Sequence, residues 1–451
     1  MLHPNRRFIG RKEYFGSLIY DRQVGDYIPF DADATAIFEA SLEQPMDRVY
    51  EAVQDRISNE SFLTFLQLCQ SIELMDQEGH FTGDLISTNL VPDQLTAPLR
   101  VYLSITRGCP LRCRHCYNSS GDALPNELST GEVISLVDQM AAMGTCELSI
   151  GGGEPLWRED LFEIIAHARK KGIQVSISTN AVPVTRVIAK KIAEADLKMI
   201  KVSFDGASEK TYDYIRGKGT YRKAVRGMKI LREAAPDVPV AIQAILMKPN
   251  LTEIPSLIRA VEKLKGNKLI LQPIRKLGRA IENTQIMLTP QEVLDAFASV
   301  KRLREVTYRN IEIPEVPCKN GKNAIYKGFG CVCGNLFCHV DPTGIVAPTG
   351  FLVKEFPAGN IREKPLKEIW EQGVGLRVMR TLPGNPICAA CDHLQPCRGG
   401  CKARSYEGTA DLNSPDPFCP LKEEIAAKLA KAEQAQAEAA RGPARSHSFF
   451  K

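Results

Sequence analysis

The chain has 451 residues, room for two or three domains, with 44% hydrophobic and 25% charged residues, so an ordinary packed core is available. No run approaches the roughly 20 apolar residues that span a bilayer, and no apolar stretch follows the basic opening Met1-Leu-His-Pro-Asn-Arg-Arg. A membrane partner and a secretory signal are therefore not expected, and a cytoplasmic location is. Thiols stay reduced there, so the 14 cysteines need another explanation than disulfides. Apart from Cys69 they fall into two blocks, Cys109 to Cys146 and Cys318 to Cys419, where close spacings recur as metal ligation requires. Cys69 sits in the apolar run Phe62-Leu-Thr-Phe-Leu-Gln-Leu-Cys69 and reads as a small core residue, as does Cys146 at the start of a strand.

In chain order, the first 14 residues are basic and expected to be mobile. Gly16-Ser-Leu-Ile-Tyr-Asp and Gly25-Asp-Tyr-Ile-Pro-Phe-Asp read as short strands. Three apolar-periodic helices follow, Ala34 to Leu42, Met46 to Val53 and Phe62 to Met75, then a tight turn at Asp76-Gln-Glu-Gly-His-Phe. This predicts a winged-helix-like domain over 15–90. The stretch 82–98, rich in Thr, Asn, Pro and Asp, reads as connecting chain, with 91–98 taken as the linker. Over 99–315 strand and helix alternate. The strands are Val101–Thr106, Glu147–Ile150, Gln174–Ser178, Met199–Phe204, Val240–Leu246 and Lys268–Gln272, and a helix over Thr130–Met143 is opened by a Ser129/Glu132 capping box. Six β/α units predict an α/β parallel sheet, doubly wound or curved into a (β/α)6 partial TIM barrel, with chemistry at the C-terminal strand ends. Residues 316–420 are loop-rich and Cys-rich, so bound metal must supply part of their stability. From 421 to 451 a good helix former runs into a polar tail expected to be disordered.

The first strand runs into Arg107-Gly-Cys109-Pro-Leu-Arg-Cys113-Arg-His-Cys116-Tyr117. Three such cysteines can hold three irons of a [4Fe–4S] cube and leave the fourth open to a small ligand. S-adenosylmethionine (SAM), bound there by its amino and carboxylate groups, would receive an electron and release a 5′-deoxyadenosyl radical. The alternative is a structural zinc site with His115 as fourth ligand. The Cys-x3-Cys-x2-Cys motif followed by an aromatic, Tyr117, resembles the signature of the radical SAM superfamily, and the resemblance covers roughly residues 99–420. It implies that Gly151-Gly152-Gly153-Glu154-Pro155 meets the SAM amino group, the glycines admitting backbone and Glu154 accepting from the ammonium. It further implies a ribose contact from Ser178-Thr-Asn180, and SAM carboxylate contacts from Ser203 and Arg216. Asp205-Gly206 by itself reads as a turn rather than a catalytic acid.

The second block, Cys388-x2-Cys391-x5-Cys397-x3-Cys401-x17-Cys419, resembles the SPASM auxiliary-cluster domain; the alternative is a zinc ribbon. The resemblance implies that Cys388, Cys391, Cys397 and Cys419 hold one auxiliary iron–sulfur cluster, while Cys401 reaches another. At that other site the family's cysteine after Gly344 is replaced by Thr349, and Cys318, Cys331, Cys333 and Cys338 are available to compensate. Gly350 stands where related sulfatase maturases carry an Asp base, which disfavours that reaction.

Residues 15–90 resemble, in pattern, the small peptide-recognition domain of pyrroloquinoline-quinone biosynthesis, whose leader peptide adds a strand to a sheet edge. A winged helix on DNA is the rival, and charge opposes it. Fourteen acidic residues against three arginines make the segment −11 within a chain of +5, and an acidic module cannot neutralise phosphates. No nucleic-acid partner is therefore expected. Taken together, these resemblances imply a radical SAM oxidoreductase that modifies, and in one form crosslinks, a ribosomally made precursor peptide. It would be fed by an external flavodoxin- or ferredoxin-type electron donor. Maturation of a peptide-derived redox cofactor, and a noncatalytic iron–sulfur or zinc protein that binds peptides or senses redox state, are the alternatives.

Overall fold

The computed structural model describes residues 6–76, 78–306, 310–313 and 330–441, so Cys318 lies outside the described residues. The chain divides into two compact units. Of the described residues, one unit takes those through 313 together with 332–380; the other takes 330–331 and 381–441.

The first unit opens with β1 (Phe8–Glu13), β2 (Gly16–Asp21) and β3 (Asp26–Phe30), followed by α1 (Ala32–Glu43), α2 (Met46–Val53) and α3 (Asn59–Ser71). β4 (Gly83–Ile86) then returns parallel to β1, giving the order β3-β2-β1-β4. Asp31 caps α1 by accepting from the Asp33 and Ala34 N–H groups, and Ser58 caps α3 by accepting from Ser61 N–H. Phe8, Ile19, Phe30, Phe38, Phe62, Phe65 and a fully buried Cys69 form the core under the helices. Two expectations are corrected. The basic opening segment is a strand, because Phe8 and Ile9 have a hydrophobic face to bury, and the polar stretch after the helices contributes β4.

The barrel strands are β5 (Arg100–Ser104), β6 (Glu147–Gly151), β7 (Gln174–Thr179), β8 (Met199–Ser203), β9 (Val240–Leu246), β10 (Lys268–Pro273) and the short β11 (Ile311–Glu312). Between them run α4 (Thr130–Met143), α5 (Leu161–Lys170), α6 (Arg186–Glu194), α7 (Glu209–Arg216), α8 (Thr220–Ala234), α9 (Ile254–Lys263) and α10 (Pro290–Val306). Every neighbouring pair from β5 to β11 is parallel. On the far side of β5 lies β12 (Phe337–Val340), also parallel, then β13 (Ile345–Ala347) and β14 (Gly359–Asn360), both antiparallel. The sheet ends on β11 and β14 and does not close, so it is a partial barrel. Ser129 and Glu132 form the capping box of α4, and Gly144 ends it at φ +76°. α11 (Leu366–Gln372) and α12 (Val374–Arg380) complete this unit.

The N-terminal sheet is fixed to the starting ends of the barrel strands by buried polar bonds. Arg11 donates to Gly144 O (3.1 Å), Ala97 O (2.9 Å) and Glu13 (2.6 Å). Tyr27 Oη donates to Leu99 O at 2.8 Å, and Tyr20 Oη to Gln174 at 2.5 Å. Lys198 Nζ bridges Gly25 O (2.7 Å) and Glu147 (3.0 Å). The opposite ends of the strands, where this architecture places chemistry, are left to the loops.

The second unit holds α13 (Pro386–Ala389), α14 (Leu394–Cys397), α15 (Lys402–Thr409) and α16 (Lys422–Arg441). Among its described residues the buried apolar side chains are Cys331, Pro383, Ala403 and Phe418. So small a core cannot offset the entropy of ordering the chain, which accords with a fold completed by bound metal.

Candidate functional site

The loop after β5 is bent back on itself by Cys109 N–H donating to Gly121 O (2.7 Å) and Gly121 N–H donating to Arg107 O (2.9 Å). Cys109 and Cys113 are buried, and Leu111, Cys116 and Val182 pack with them. Each sulfur is met by a donor. Leu111 N–H lies 3.5 Å from Cys109 Sγ, Ser120 N–H 3.3 Å from Cys116 Sγ, and Arg216 Nη1 4.0 Å from Cys113 Sγ. Burial raises the free thiol pKa of Cys109, and that of Cys113 to about 11. The donors and the guanidinium work the other way, favouring the thiolates that iron would bind. The donor set therefore fits a cluster held by three cysteines. His115 does not turn toward a fourth-ligand role through Nε2, which lies 3.2 Å from Asp205. Burial lowers its pKa to about 4.

The glycines after β6 serve packing more directly than expected. Gly152 has φ +116°, and a Cβ there would fall 2.5 Å from Thr106 O; one on Gly153 would fall 2.1 Å from Gly108 O. Only bare backbone lets this turn lie against the cysteine loop, which it holds through Gly153 N–H to Thr106 O (2.7 Å) and Glu154 N–H to Gly108 O (2.8 Å). Glu154 closes the same turn. It is fully buried and accepts from Leu156 N–H (3.1 Å), Thr179 Oγ1 (2.7 Å) and Asn180 N–H (2.7 Å). Burial raises its pKa to about 7. It ties β6 to the end of β7. In the turn itself Gly152 O accepts from Asn118 Nδ2 at 3.2 Å.

Asn180 is buried with its amide 3.7 Å from Cys109 Sγ, while Ser178 and Ser203 are half-buried on the barrel's inner side. Tyr117 hydrogen-bonds with Ser104 and packs edge-on against Phe351, ring centroids 5.1 Å apart. Arg216 is buried and held by Asp205, its Nε donating to Oδ2 at 2.6 Å. Asp205, fully buried, also accepts from Ile245 N–H at 2.7 Å. Asp205-Gly206 is thus more than a turn: the aspartate is the counter-charge of the arginine beside the cysteines. Thr349 is half-buried, and a Cβ on Gly350 would lie 3.0 Å from the His339 ring.

In the second unit Cys388, Cys391, Cys397 and Cys419 line one cavity together with His393 and Asp416. Cys401 is fixed beside it, its N–H donating to Asp416 Oδ2 at 2.7 Å. Cys419 N–H donates to Asp416 O at 2.8 Å, and Arg404 pairs with the same carboxylate at 2.5 Å. Arg404 and Asp416 carry no motif in the sequence, yet they orient two of the five cysteines. Cys331 is buried in this unit. Cys333 and Cys338 belong to the first unit, where burial raises the Cys338 thiol to about 12 and Arg380 opposes it.

Comparison with known proteins gives two family matches. Residues 103–261 match the radical SAM superfamily, and 331–392 match the SPASM iron–sulfur cluster-binding domain. An AdoMet-dependent heme synthase of Methanosarcina barkeri is 32% identical over 72% of this chain and 96% of its own. The mycofactocin maturase MftC of Mycolicibacterium smegmatis is 30% identical over 72% of this chain and 83% of its own. Among solved structures, Streptococcus suis SuiB bound to S-adenosylmethionine superposes with a TM-score of 0.70 at 17% identity, covering 92% of this chain and 99% of SuiB. SuiB has also been solved bound to its precursor peptide SuiA, with a TM-score of 0.70 at 16% identity, covering 91% of this chain and 97% of that one.

Proposed function

Since the chain belongs to the radical SAM superfamily and carries the SPASM cluster-binding domain, we propose that it is a peptide maturase acting on a ribosomally made precursor. The cofactors are SAM, a [4Fe–4S] cluster and auxiliary iron–sulfur clusters; when bound, they supply a 5′-deoxyadenosyl radical and a path for the electron. The observation that carries the peptide reading is the acidic β4α3 domain built onto the barrel, within a fold shared over 92% of the chain with SuiB.

Cys109, Cys113 and Cys116 hold the SAM-binding cluster. The turn at Gly152 and Gly153, with Ser178, Asn180, Ser203, Arg216 and Tyr117, shapes the SAM site, and Glu154 braces it from behind. Cys388, Cys391, Cys397 and Cys419 hold one auxiliary cluster, and Cys401 is a ligand for another. A leader peptide docks on residues 15–90, and the core segment enters the barrel mouth. Tethering raises the core's effective concentration there. On β3 the outward-facing N–H of Tyr27 is taken by Asp26 Oδ1 (2.8 Å), and Pro29 has none. A peptide pairing with that edge must supply the donors itself. The working compartment is the cytoplasm, with a flavodoxin- or ferredoxin-type donor; among the described residues no helix is long and apolar enough to cross a membrane.

Co-expression with short peptides encoded beside the gene, followed by mass spectrometry, tests the reading. The expected result is a loss of hydrogen on one peptide, dependent on Cys113. Modification of a tetrapyrrole and of no peptide would overturn it in favour of the chemistry of the heme-synthase relative.

A further inference from the structure

Along β7 and β8 the outward residues Val175, Ile177, Ile200 and Val202 are fully buried under the helices, and on β6 both faces are buried up to Ile150. The alternate positions Ser176, Ser178, Lys201 and Ser203 point inward and are only half-buried. A parallel sheet normally buries both faces. Half-exposed inward positions therefore mark a lumen that admits water and solutes.

Lys201 is a cation in that lumen. It lies in register with Ser178 of β7, two residues below Ser203, or roughly 6–7 Å deeper at 3.3 Å per residue. Its ammonium sits over the Tyr102 ring, 6.0 Å from the centroid. Lys198, three residues earlier, is neutralised by Glu147 at 3.0 Å. Among the described residues, no carboxylate lies within salt-bridge distance of Lys201. A charged amine kept half-enclosed without a counter-ion loses hydration and has only the Tyr102 ring face in return. An arriving anion makes up that loss. The neighbours are serines, which can hydrogen-bond carboxylate oxygens, and the Tyr102 phenol, whose oxygen accepts from Arg100 Nη1 at 3.1 Å, Arg100 being itself neutralised by Glu147.

We propose that Lys201 is a substrate-recognition residue that binds a carboxylate entering the barrel lumen, either the substrate's main-chain terminus or an acidic side chain. This rests on the reading above that the substrate enters the barrel.

The test needs neither the natural substrate nor a variant. Cluster-loaded protein with SAM, under anaerobic and non-reducing conditions, is trace-labelled with an amine-acetylating reagent. Lys201 is then followed by mass spectrometry of its peptide, with exposed Lys190 as internal control. N-acetylglycine carries a main-chain carboxylate and N-acetylglutamate α-amide a side-chain one; N-acetylglycinamide is the neutral control, and sodium chloride matches ionic strength. An acid at about twice its Kd should slow labelling of Lys201 about threefold, by the 1 + [L]/Kd relation, and leave Lys190 unchanged. Protection by one acid and not the other names the source of the carboxylate. Equal protection by the neutral amide, or none by either acid, overturns the proposal. Full protection by SAM alone, with no further effect of the acids, overturns it too, because the lysine would then serve the cofactor. A failed search for a peptide product would leave these labelling outcomes intact, so the two readings fall separately.

Discussion

Replacing Asp205 with Asn should destabilise the barrel far more than a one-atom change implies. The carboxylate is fully buried, and its oxygens accept from Arg216 Nε at 2.6 Å and Ile245 N–H at 2.7 Å, with His115 Nε2 3.2 Å away. An amide offers one oxygen, so whichever way it turns, one donor meets its NH2 group. The larger loss is electrostatic. Arg216 is 7% exposed and keeps its charge, and stripping the counter-charge from a buried pair costs about 3–5 kcal/mol. For a cooperative unit of roughly 150–250 residues that lowers Tm by about 6–20 °C. Calorimetry on D205N, R216M and D205N/R216M closes a double-mutant cycle. The double variant should recover much of the loss, with a coupling of about 2 kcal/mol or more. A D205N shift below about 1 kcal/mol, or additive single effects, would refute the pairing argument.

Deletion of residues 1–90 should weaken leader binding in a peptide titration, but it is not a clean cut. Lys198 and Gln174 lose partners in the N-terminal sheet, at about 1–3 kcal/mol for each group left unsatisfied, so the truncated barrel should also unfold at lower temperature and cleave SAM less. Alanine at Cys109, Cys113 and Cys116 should abolish 5′-deoxyadenosine formation under reducing conditions, as read by chromatography. Asp416→Ala frees the Cys401 N–H and unpairs Arg404, so iron and sulfide analysis should show a loss of about one four-iron cluster per chain. Glu154, with its pKa raised from 4.5 to about 7, binds its proton more tightly folded than unfolded. Its contribution is complete below pH 4.5 and is lost as pH rises through 7, about 3 kcal/mol in all. Urea midpoints of wild type and E154Q at several pH values should therefore differ in slope across that window.

Much of the barrel was legible because its signals are local. Each predicted strand lies within a residue or two of an observed one, and the Ser129/Glu132 box sits where the sequence put it, since caps and alternation are properties of adjacent residues. β1 and β4 were missed for a common reason. Arg11, Lys12 and Glu13 read as a charged tail, and Thr82 to Asn89 as a polar connection. β1 pairs with the adjacent β2 as well as with β4, whereas β4 exists only through pairing with a segment more than 70 residues away. The charge in β1 even has a structural use: Arg11 and Glu13 are buried together and secure the N-terminal sheet to the barrel floor.

The site divides along the same line. The cysteines were legible because ligands to one cluster must be close in space, and here closeness is bought by short spacing in sequence. What orients them was hidden, since each orienting contact joins distant positions: Asp205 to His115 across 90 residues, Arg216 to Cys113 across 103, Glu154 to Asn180 across 26. Glu154 shows how a motif fixes a residue's place and leaves its contacts to the fold. Its neighbours in sequence say only that a carboxylate follows three glycines. Which side of the turn the carboxylate takes depends on Thr179 and Asn180 at the end of another strand, whose donors hold it inside the protein. A buried carboxylate with three donors fixes the cysteine loop, the glycine turn and the end of β7 relative to one another. The turn and the cysteine loop are thereby held in place by the chain's own donors.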